Sequence, residues 1–299
     1  MVGGIPDLRT GHGAWVDLVQ DRRLAEELDR SVDPADVEGA IRCVFVRRGS
    51  VMASLVERRV AAIMDAPVRL REECAAGWLR PVIGTGGPIL EIGCGPGVLL
   101  AEIPGTLQRY GVDVSLEWLV VARRLAAAAG VHVDLAAAHA EALPLLDRTM
   151  AAVVALDVIE HVGDQAATVR EIDRVMMSGG VFAAATPNRF SIAAEPHVGV
   201  WGVGWLPRAW QRRYVRWRAD LPYEYVRLLG YSEFLRLIRR NTSLRAAIDA
   251  APIPETAQRR FSRRRQFLAR TYNGLLSAPG FASIARRIGA FFHLVAHKP

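Results

Sequence analysis

Residues 89–97 read Ile89-Leu90-Glu91-Ile92-Gly93-Cys94-Gly95-Pro96-Gly97, an apolar run entering a turn with glycine at three alternate positions. Glycine adopts positive φ without penalty and lets a ligand come close to the backbone, so a turn of this kind after a strand forms a cradle for a small molecule. About 20 residues later, Tyr110-Gly111-Val112-Asp113 ends a second apolar run in a carboxylate. In a nucleotide-binding α/β fold that is where a ribose hydroxyl pair is held. The spacing Gly-x-Gly-x-x-Gly, which admits a pyrophosphate, is absent, and Glu91 stands two residues before the first glycine. A carboxylate beside the loop disfavours phosphate and suits a ligand with a cationic centre.

A second group of chemically capable residues lies at the ends of two further apolar runs: Asp157, Glu160 and His161 in one, and Thr186, Pro187, Asn188 and Arg189 in the other. Open α/β sheets bind ligands at the carboxyl ends of their strands. His161 titrates near neutrality and could take a proton from a hydroxyl, or it packs against its own helix as a structural residue. His197, in Glu195-Pro196-His197, follows the last of these runs as a further candidate. Cys43, Cys74 and Cys94 are odd in number and far apart. They form neither a disulfide framework nor a metal-ligand pattern and read as reduced thiols.

These residues need a scaffold that brings strand ends together. Residues 1–80 read as helices, with Trp15, Leu18, Val19, Leu24 and Leu28 near helical spacing and Val51, Leu55, Arg59 and Ile63 following farther on. Ile83-Gly84-Thr85-Gly86-Gly87-Pro88 breaks the pattern. Beyond it, strands near 88–93, 110–114, 131–137, 151–156 and 180–186 alternate with helices near 97–105, 116–129 and 165–177, which predicts a parallel sheet. Residues 190–230 form an insert, followed by a helix at 232–240, a sixth strand at 244–250, a helix at 281–289 and a last strand at 291–297.

In combination, these segments resemble the class I S-adenosylmethionine-dependent methyltransferases across residues 88–190, in particular the type 11 and ubiquinone-biosynthesis-like members. Leu90 to Gly97 resembles the first motif of that family, Asp113 its ribose-binding acid, and Ala138-His139-Ala140-Glu141-Ala142-Leu143-Pro144 the segment flanking the adenine. Leu156 to Val162 resembles the fourth-strand motif, and Glu171-Ile172-Asp173-Arg174-Val175 through Gly179-Gly180 the approach to strand five. Phe291 to Pro299 resembles the antiparallel last strand. The resemblance implies a doubly wound, seven-stranded Rossmann-like sheet in residues 81–299, with residues 1–80 as a helical extension. It also implies S-adenosylmethionine as cofactor. Gly93, Cys94, Gly95 and Gly97 would line its methionine portion, Glu91 would orient the loop and help hold the amino group, and Asp113 would bind the ribose. His139, Ala140 and Glu141 would flank the adenine, with Asp157 at the neighbouring strand end. His139 replaces the usual Asp, Met150-Ala151 the customary Phe-Asp, and Met177-Ser178 the Leu-x-Pro before the glycines. Asp157-x-x-Glu160-His161 is similar to the Glu-x-x-Glu-His segment of ubiquinone-biosynthesis O-methyltransferases and small-RNA 2′-O-methyltransferases, where it contributes to a divalent metal site. No metal ligand is assigned on that basis. His161, Glu160 and His197 are the catalytic candidates, and His197 is a further possible ligand.

The acceptor side is read from the insert. It holds Trp201, Trp205, Trp210 and Trp217, four of the chain's seven tryptophans. From Pro207 the pattern is helical, with Trp210, Tyr214, Trp217 and Leu221 on one stripe and Arg208, Arg212, Arg213, Arg216 and Arg218 around it. Three readings stand: a lid packed over the substrate pocket, an amphipathic segment on an anionic membrane, or a stacking surface for RNA. Nucleic-acid base methylation is disfavoured, because no Asn-Pro-Pro-Tyr type segment and no Pro-Cys nucleophile is present.

Composition agrees with a packed globular protein, at 299 residues and 51% hydrophobic. Its net charge of +7 is unevenly placed: residues 201–299 carry 19 Lys+Arg against 5 Asp+Glu, and residues 1–200 carry 19 against 26. The anion-seeking charge is thus on the acceptor side, although Lys298 is the only lysine and arginine is abundant throughout. No secretory signal or membrane-spanning run is evident, so a cytoplasmic location with possible peripheral membrane contact is expected. The expected activity is methyl transfer to a small-molecule acceptor, with oxygen favoured, on a quinone, polyketide, sugar or lipid-like scaffold. A membrane- or RNA-associated enzyme and a non-catalytic cofactor-binding protein are the alternatives.

Overall fold

The computed structural model describes residues 1–299 except 11–15, 49–52, 76 and 260. Trp15 and Val51, expected on helical stripes, lie outside the described residues. Four helices lead the chain, α1 (Leu18–Ser31), α2 (Val37–Arg48), α3 (Ala53–Met64) and α4 (Ala66–Ala75), followed by the short α5 (Arg80–Ile83). Then come β1 (Ile89–Ile92), α6 (Val98–Glu102), β2 (Arg109–Asp113), α7 (Leu116–Ala128), β3 (Asp134–Ala137), β4 (Met150–Leu156), α8 (Gln165–Val175) and β5 (Met176–Pro187). The rest is α9 (Arg208–Ala219), α10 (Tyr231–Asn241), β6 (Arg245–Ala250), α11 (Glu255–Gln258), α12 (Arg263–Leu275), α13 (Pro279–Ile288) and β7 (Phe291–His297).

The seven strands form one sheet in the order β3-β2-β1-β4-β5-β7-β6, parallel except for β7, which runs antiparallel to both β5 and β6. Alternate residues feed two cores. Ile89, Ala152, Val154, Val181 and Ala183 pack on one face with Leu28, Ile41, Val44, Val60 and Leu119, so the leading helices share that core with α6 and α7. Leu90, Ile92, Val153, Phe182 and Ala184 pack on the other with Ile172, Phe234, Phe292 and Leu294. Strands apolar on both faces are what a helix-covered parallel sheet demands. Because β1 connects outward to β2 while β4 lies on its other side, the crossover direction reverses between β1 and β4. Their carboxyl ends therefore open the crevice in which such folds bind ligands.

Local chemistry fixes the elements near that crevice. Asp17, Ser115 and Asp164 cap α1, α7 and α8 by accepting from backbone N–H groups of the first turn. Strand β5 starts at Met176, directly after α8, four residues earlier than the sequence pattern suggests. Met176 pairs with Met150, and the register then shifts past Ser178 and Gly179, whose φ of 78° makes the irregularity tolerable. Helix α12 opens on the basic run Arg263-Arg264-Arg265. The guanidinium of Arg174 donates to the carbonyls of Leu143 and Leu145 and to Asp147 and Glu171, which pins the loop before β4.

Candidate functional site

The glycine loop follows the alternation read from the sequence. Gly93, Gly95 and Gly97 have φ of 63°, 50° and 71°, the left-handed region that favours glycine. The N–H groups of Gly93 and Cys94 both donate to the carbonyl of Val112, which fastens the loop to β2. A side chain at Gly93 would run into Val158 of the β4–α8 loop, so the β1 and β4 strand ends touch there. At Gly95 a Cβ would meet nothing within 4 Å. The loop thus presents bare backbone to open space.

Asp113 ends β2 beside it. Its Oδ2 accepts from the Gly95 N–H at 2.8 Å and its Oδ1 from the Ser115 N–H at 2.8 Å. Glu91 is buried, and burial followed by the charge of Asp113 pushes its carboxyl well above the usual range, partly opposed by the N–H of Leu100. Glu91 Oε2 has no hydrogen-bond partner, which is costly for a buried polar atom and is relieved by an ammonium donor. His139 Nε2 is also buried without a partner. These three features meet the demands of a ligand with an amino group, a ribose and an adenine, and the residues present suit S-adenosylmethionine. Glu141 Oε1 accepts from the N–H groups of Gly163 and Asp164 and ties down the β4–α8 loop.

A feature not anticipated supports Asp113 from behind. The buried guanidinium of Arg9 contacts Asp7 at 2.8 Å, Asp21 of α1 at 2.6 Å and the carbonyl of Val114 at 2.7 Å. Asp21 in turn accepts from Ser115 Oγ and from the Leu116 N–H. Three segments remote in sequence thereby clamp the turn that carries Asp113. No local pattern marks the clamp, because the contacts that join Arg9 and Asp21 to Val114, Ser115 and Leu116 span about a hundred residues.

At the carboxyl ends of β4 and β5, Glu160, His161 and His197 converge, with ligand-capable atoms all within 4.8 Å of one another. Glu160 is buried; its Oε2 accepts from Thr186 Oγ1 at 2.9 Å while its Oε1 has no partner. Burial, then the charge of Asp157, raises its carboxyl to about 8. His161 Nε2 and His197 Nε2 are 3.1 Å apart, with the rings edge to face. Burial and then His197 lower His161 to about 4, against a hydrogen bond to the backbone of Tyr225. For His197, burial alone would lower the imidazole, but the hydrogen bond its Nδ1 donates to Glu195 and the charges of Glu195, Glu160 and Asp157 outweigh it and raise it. One carboxylate and two imidazoles around a common point form a donor set suited to a divalent cation. Without a cation they form a proton chain from Glu195 through His197 to His161. Asp157 sits exposed at the end of β4 with φ of 55°.

Residues 90–184 match the family model described as a methyltransferase domain. Over these residues the chain carries a methyltransferase domain of the class I S-adenosylmethionine-dependent kind. It is 36% identical over 156 residues to a ubiquinone biosynthesis O-methyltransferase of Methylobacterium sp. (strain 4-46), covering 50% of this chain and 60% of that protein. It is also 36% identical over 108 residues to a probable S-adenosylmethionine-dependent methyltransferase of Mycolicibacterium smegmatis, covering 36% and 41%. The chain thus spans three fifths or less of the curated relatives it matches here. A solved structure from Thermotoga maritima, described as a SAM-dependent methyltransferase and possible histamine N-methyltransferase, superposes with a TM-score of 0.50 at 17% identity over 88% of this chain and all of that one, a likeness of fold.

The insert after β5 corrects one reading of the sequence. On α9 the residues turned inward are Gln211 and Val215, and Val215 joins Val200, Val203 and Tyr223 in a small separate core. Trp210 and Trp217 are 67% and 75% exposed. The tryptophan stripe therefore faces outward and does not pack down as a lid. Among the described residues, no helix is long and apolar enough to cross a membrane.

Proposed function

We propose that this methyltransferase moves the methyl group of S-adenosylmethionine to an oxygen of a small-molecule acceptor, with the proton leaving through the cluster at the ends of β4 and β5. The observation that carries this reading is the convergence of Glu160, His161 and His197 next to the glycine loop, which Val158 joins to Gly93. When bound, the cofactor supplies an electrophilic methyl carbon on a sulfonium, so the protein's part is alignment, exclusion of water and proton removal. The Gly95 backbone and Asp113 would hold the ribose side, Glu91 the amino group and His139 the adenine. The acceptor oxygen forms the new bond as the carbon–sulfur bond breaks, with the electron pair passing to sulfur. The hydroxyl proton passes to the His197 side of the pair, whose basicity Glu195 raises. A divalent cation held by Glu160, His161 and His197 would lower the pKa of the same hydroxyl and accomplish the same end.

Labelled methyl transfer from S-adenosylmethionine to a panel of catechols and phenols tests the reading. Transfer to oxygen, abolished in His197→Ala and retained for cofactor binding, supports it; absence of cofactor binding by calorimetry overturns it. A second reading concerns location. The outward Trp210 and Trp217, ringed by Arg212, Arg213, Arg216 and Arg218, support peripheral docking on an anionic bilayer, where indole rings sit at the headgroup level and arginines pair with phosphates.

A further inference from the structure

Next to the catalytic cluster lies a cavity of about 300 Å3 whose wall is unusual in charge. His161 stands at one side, Arg208 and Arg212 of α9 at another, and Tyr223, Tyr225 and Arg227 of the α9–α10 connection complete it. No carboxylate lines it. Arg208 is tied to Glu233 and to the carbonyl of Leu228, and Glu233 is shared with Arg189, so one carboxylate serves two guanidinium groups. Arg212 and Arg227 have no ion-pair partner among the described residues, and both are exposed. The Arg227 backbone N–H donates to the Glu160 carbonyl at 2.7 Å, and Gln165 Nε2 bridges the carbonyls of Ile159 and Arg227. The backbone that carries Arg227 is therefore tied to the loop that carries Glu160 and His161.

The geometry points to this cavity as the subsite for an oxyanion, carboxylate or phosphate, carried by the acceptor. Guanidinium groups bind such oxyanions through paired N–H donors, and two of them held unpaired beside a reactive imidazole make a site that a neutral acceptor would leave uncompensated. Tyr223 is buried and Tyr225 holds φ of 59°, a backbone state that few non-glycine residues adopt, so two phenol rings are set into the wall beside the arginines. An aromatic or planar scaffold bearing the anion would lie against them. The assignment rests on the reading of this cavity as the acceptor side, and it names the acceptor's charge, which that reading left open.

The test uses the full chain with inorganic phosphate and with benzoate as separate probes, followed by calorimetry, and with S-adenosylmethionine titrated independently. Expected are saturable binding of at least one probe, a loss of affinity of about tenfold or more in R212Q/R227Q, and no change in Arg216→Gln, which does not line the cavity. Preference for benzoate or phosphate identifies the anion as carboxylate or phosphate. The cofactor affinity of R212Q/R227Q stays at the wild-type value. Failure of both probes to bind, equal binding by R212Q/R227Q, or binding only to anionic vesicles overturns the subsite. Failure of S-adenosylmethionine to bind overturns the methyltransferase reading instead, whatever the anions do.

Discussion

His161 and His197 meet through their Nε2 atoms at 3.1 Å, although 36 residues separate them and they come from different loops. Between two imidazoles one nitrogen must donate and the other accept. The backbone of Tyr225 takes the other ring nitrogen of His161 and Glu195 that of His197, so both Nε2 lone pairs face one point, and a proton taken up there sits on His197, the more basic ring, and is shared with His161. Replacing that shared proton with a divalent cation would recruit Glu160 Oε1 as well, the buried oxygen that lacks a partner. Manganese or zinc is accordingly expected to raise the melting temperature by a few degrees, through binding to the folded state alone. Glu160→Gln and His197→Ala should each remove the shift while leaving cofactor affinity unchanged. If magnesium, manganese and zinc all leave the melting curve in place, the proton chain acts without metal.

The cofactor side gives a sharper expectation. Asp113→Ala removes the acceptor for the Gly95 and Ser115 N–H groups and the ribose partner together, so affinity for S-adenosylmethionine should fall by about tenfold to a hundredfold, as for hydrogen bonds to a charged group. Gly95→Ala should also weaken binding. Its φ of 50° imposes about 1–2 kcal/mol on any residue with a Cβ, and the methyl group would occupy the space that now opens above the loop. Calorimetry with the demethylated product checks both. Wild-type affinity in Asp113→Ala would remove the carboxylate from the site.

The clamp behind Asp113 should matter to both stability and binding. Arg9→Ala takes the cation from buried Asp21, while Asp7 keeps Arg22 at 2.6 Å, and breaking a buried pair in this way costs about 3–5 kcal/mol. Urea unfolding would register the loss. Among molecules still folded, cofactor affinity should drop too, because Val114 and Ser115 lose their anchor. Unfolding and binding both unchanged would show that Arg9 merely fills space.

Much of this was legible in advance because it is local. β7 and the ends of β1, β2 and β4 fall within a residue or so of the sequence reading, since apolar runs bounded by glycine or by Asp113 and Asp157 have few other places to begin and end. The glycine loop was readable for the same reason. The Arg9–Asp21–Ser115 clamp and the part Glu195 plays behind His197 were not, as tertiary pairings leave no periodic trace. The α9 stripe failed differently. Period 3.6 identifies an amphipathic helix but says nothing of which face meets the protein, and here Gln211 and Val215 face the small core while the tryptophans turn outward.

A pH effect should also arise on β7. His293 of β7 stacks on Trp78 with ring centroids 4.0 Å apart. Burial, followed by the positive charge of Arg69, lowers its imidazole from 6.5 to about 4. As pH falls through 6.5 the unfolded chain binds the proton first, so stability is highest above that value and declines until about pH 4. His293 alone accounts for about 2 kcal/mol of the loss between pH 7 and 5. His293→Phe keeps a ring against Trp78 but cannot titrate, and its unfolding free energy should fall less over that interval. An identical slope in the variant would place the effect elsewhere.

The exposed tryptophans separate a docking face from an unused surface. Trp210→Ser and Trp217→Ser should change stability by no more than about 0.5 kcal/mol, because neither ring is buried. Val215→Ala, at a fully buried position of the same helix, should cost about 1–3 kcal/mol. That contrast is the control for vesicle flotation. If α9 docks on a bilayer, the full chain floats with anionic vesicles at low salt, salt weakens the attraction, and the two tryptophan substitutions together release the protein without unfolding it. Equal flotation of the wild type and the double variant would show that any attachment comes from the distributed arginines, and no flotation at low salt would remove the membrane as a partner of this face.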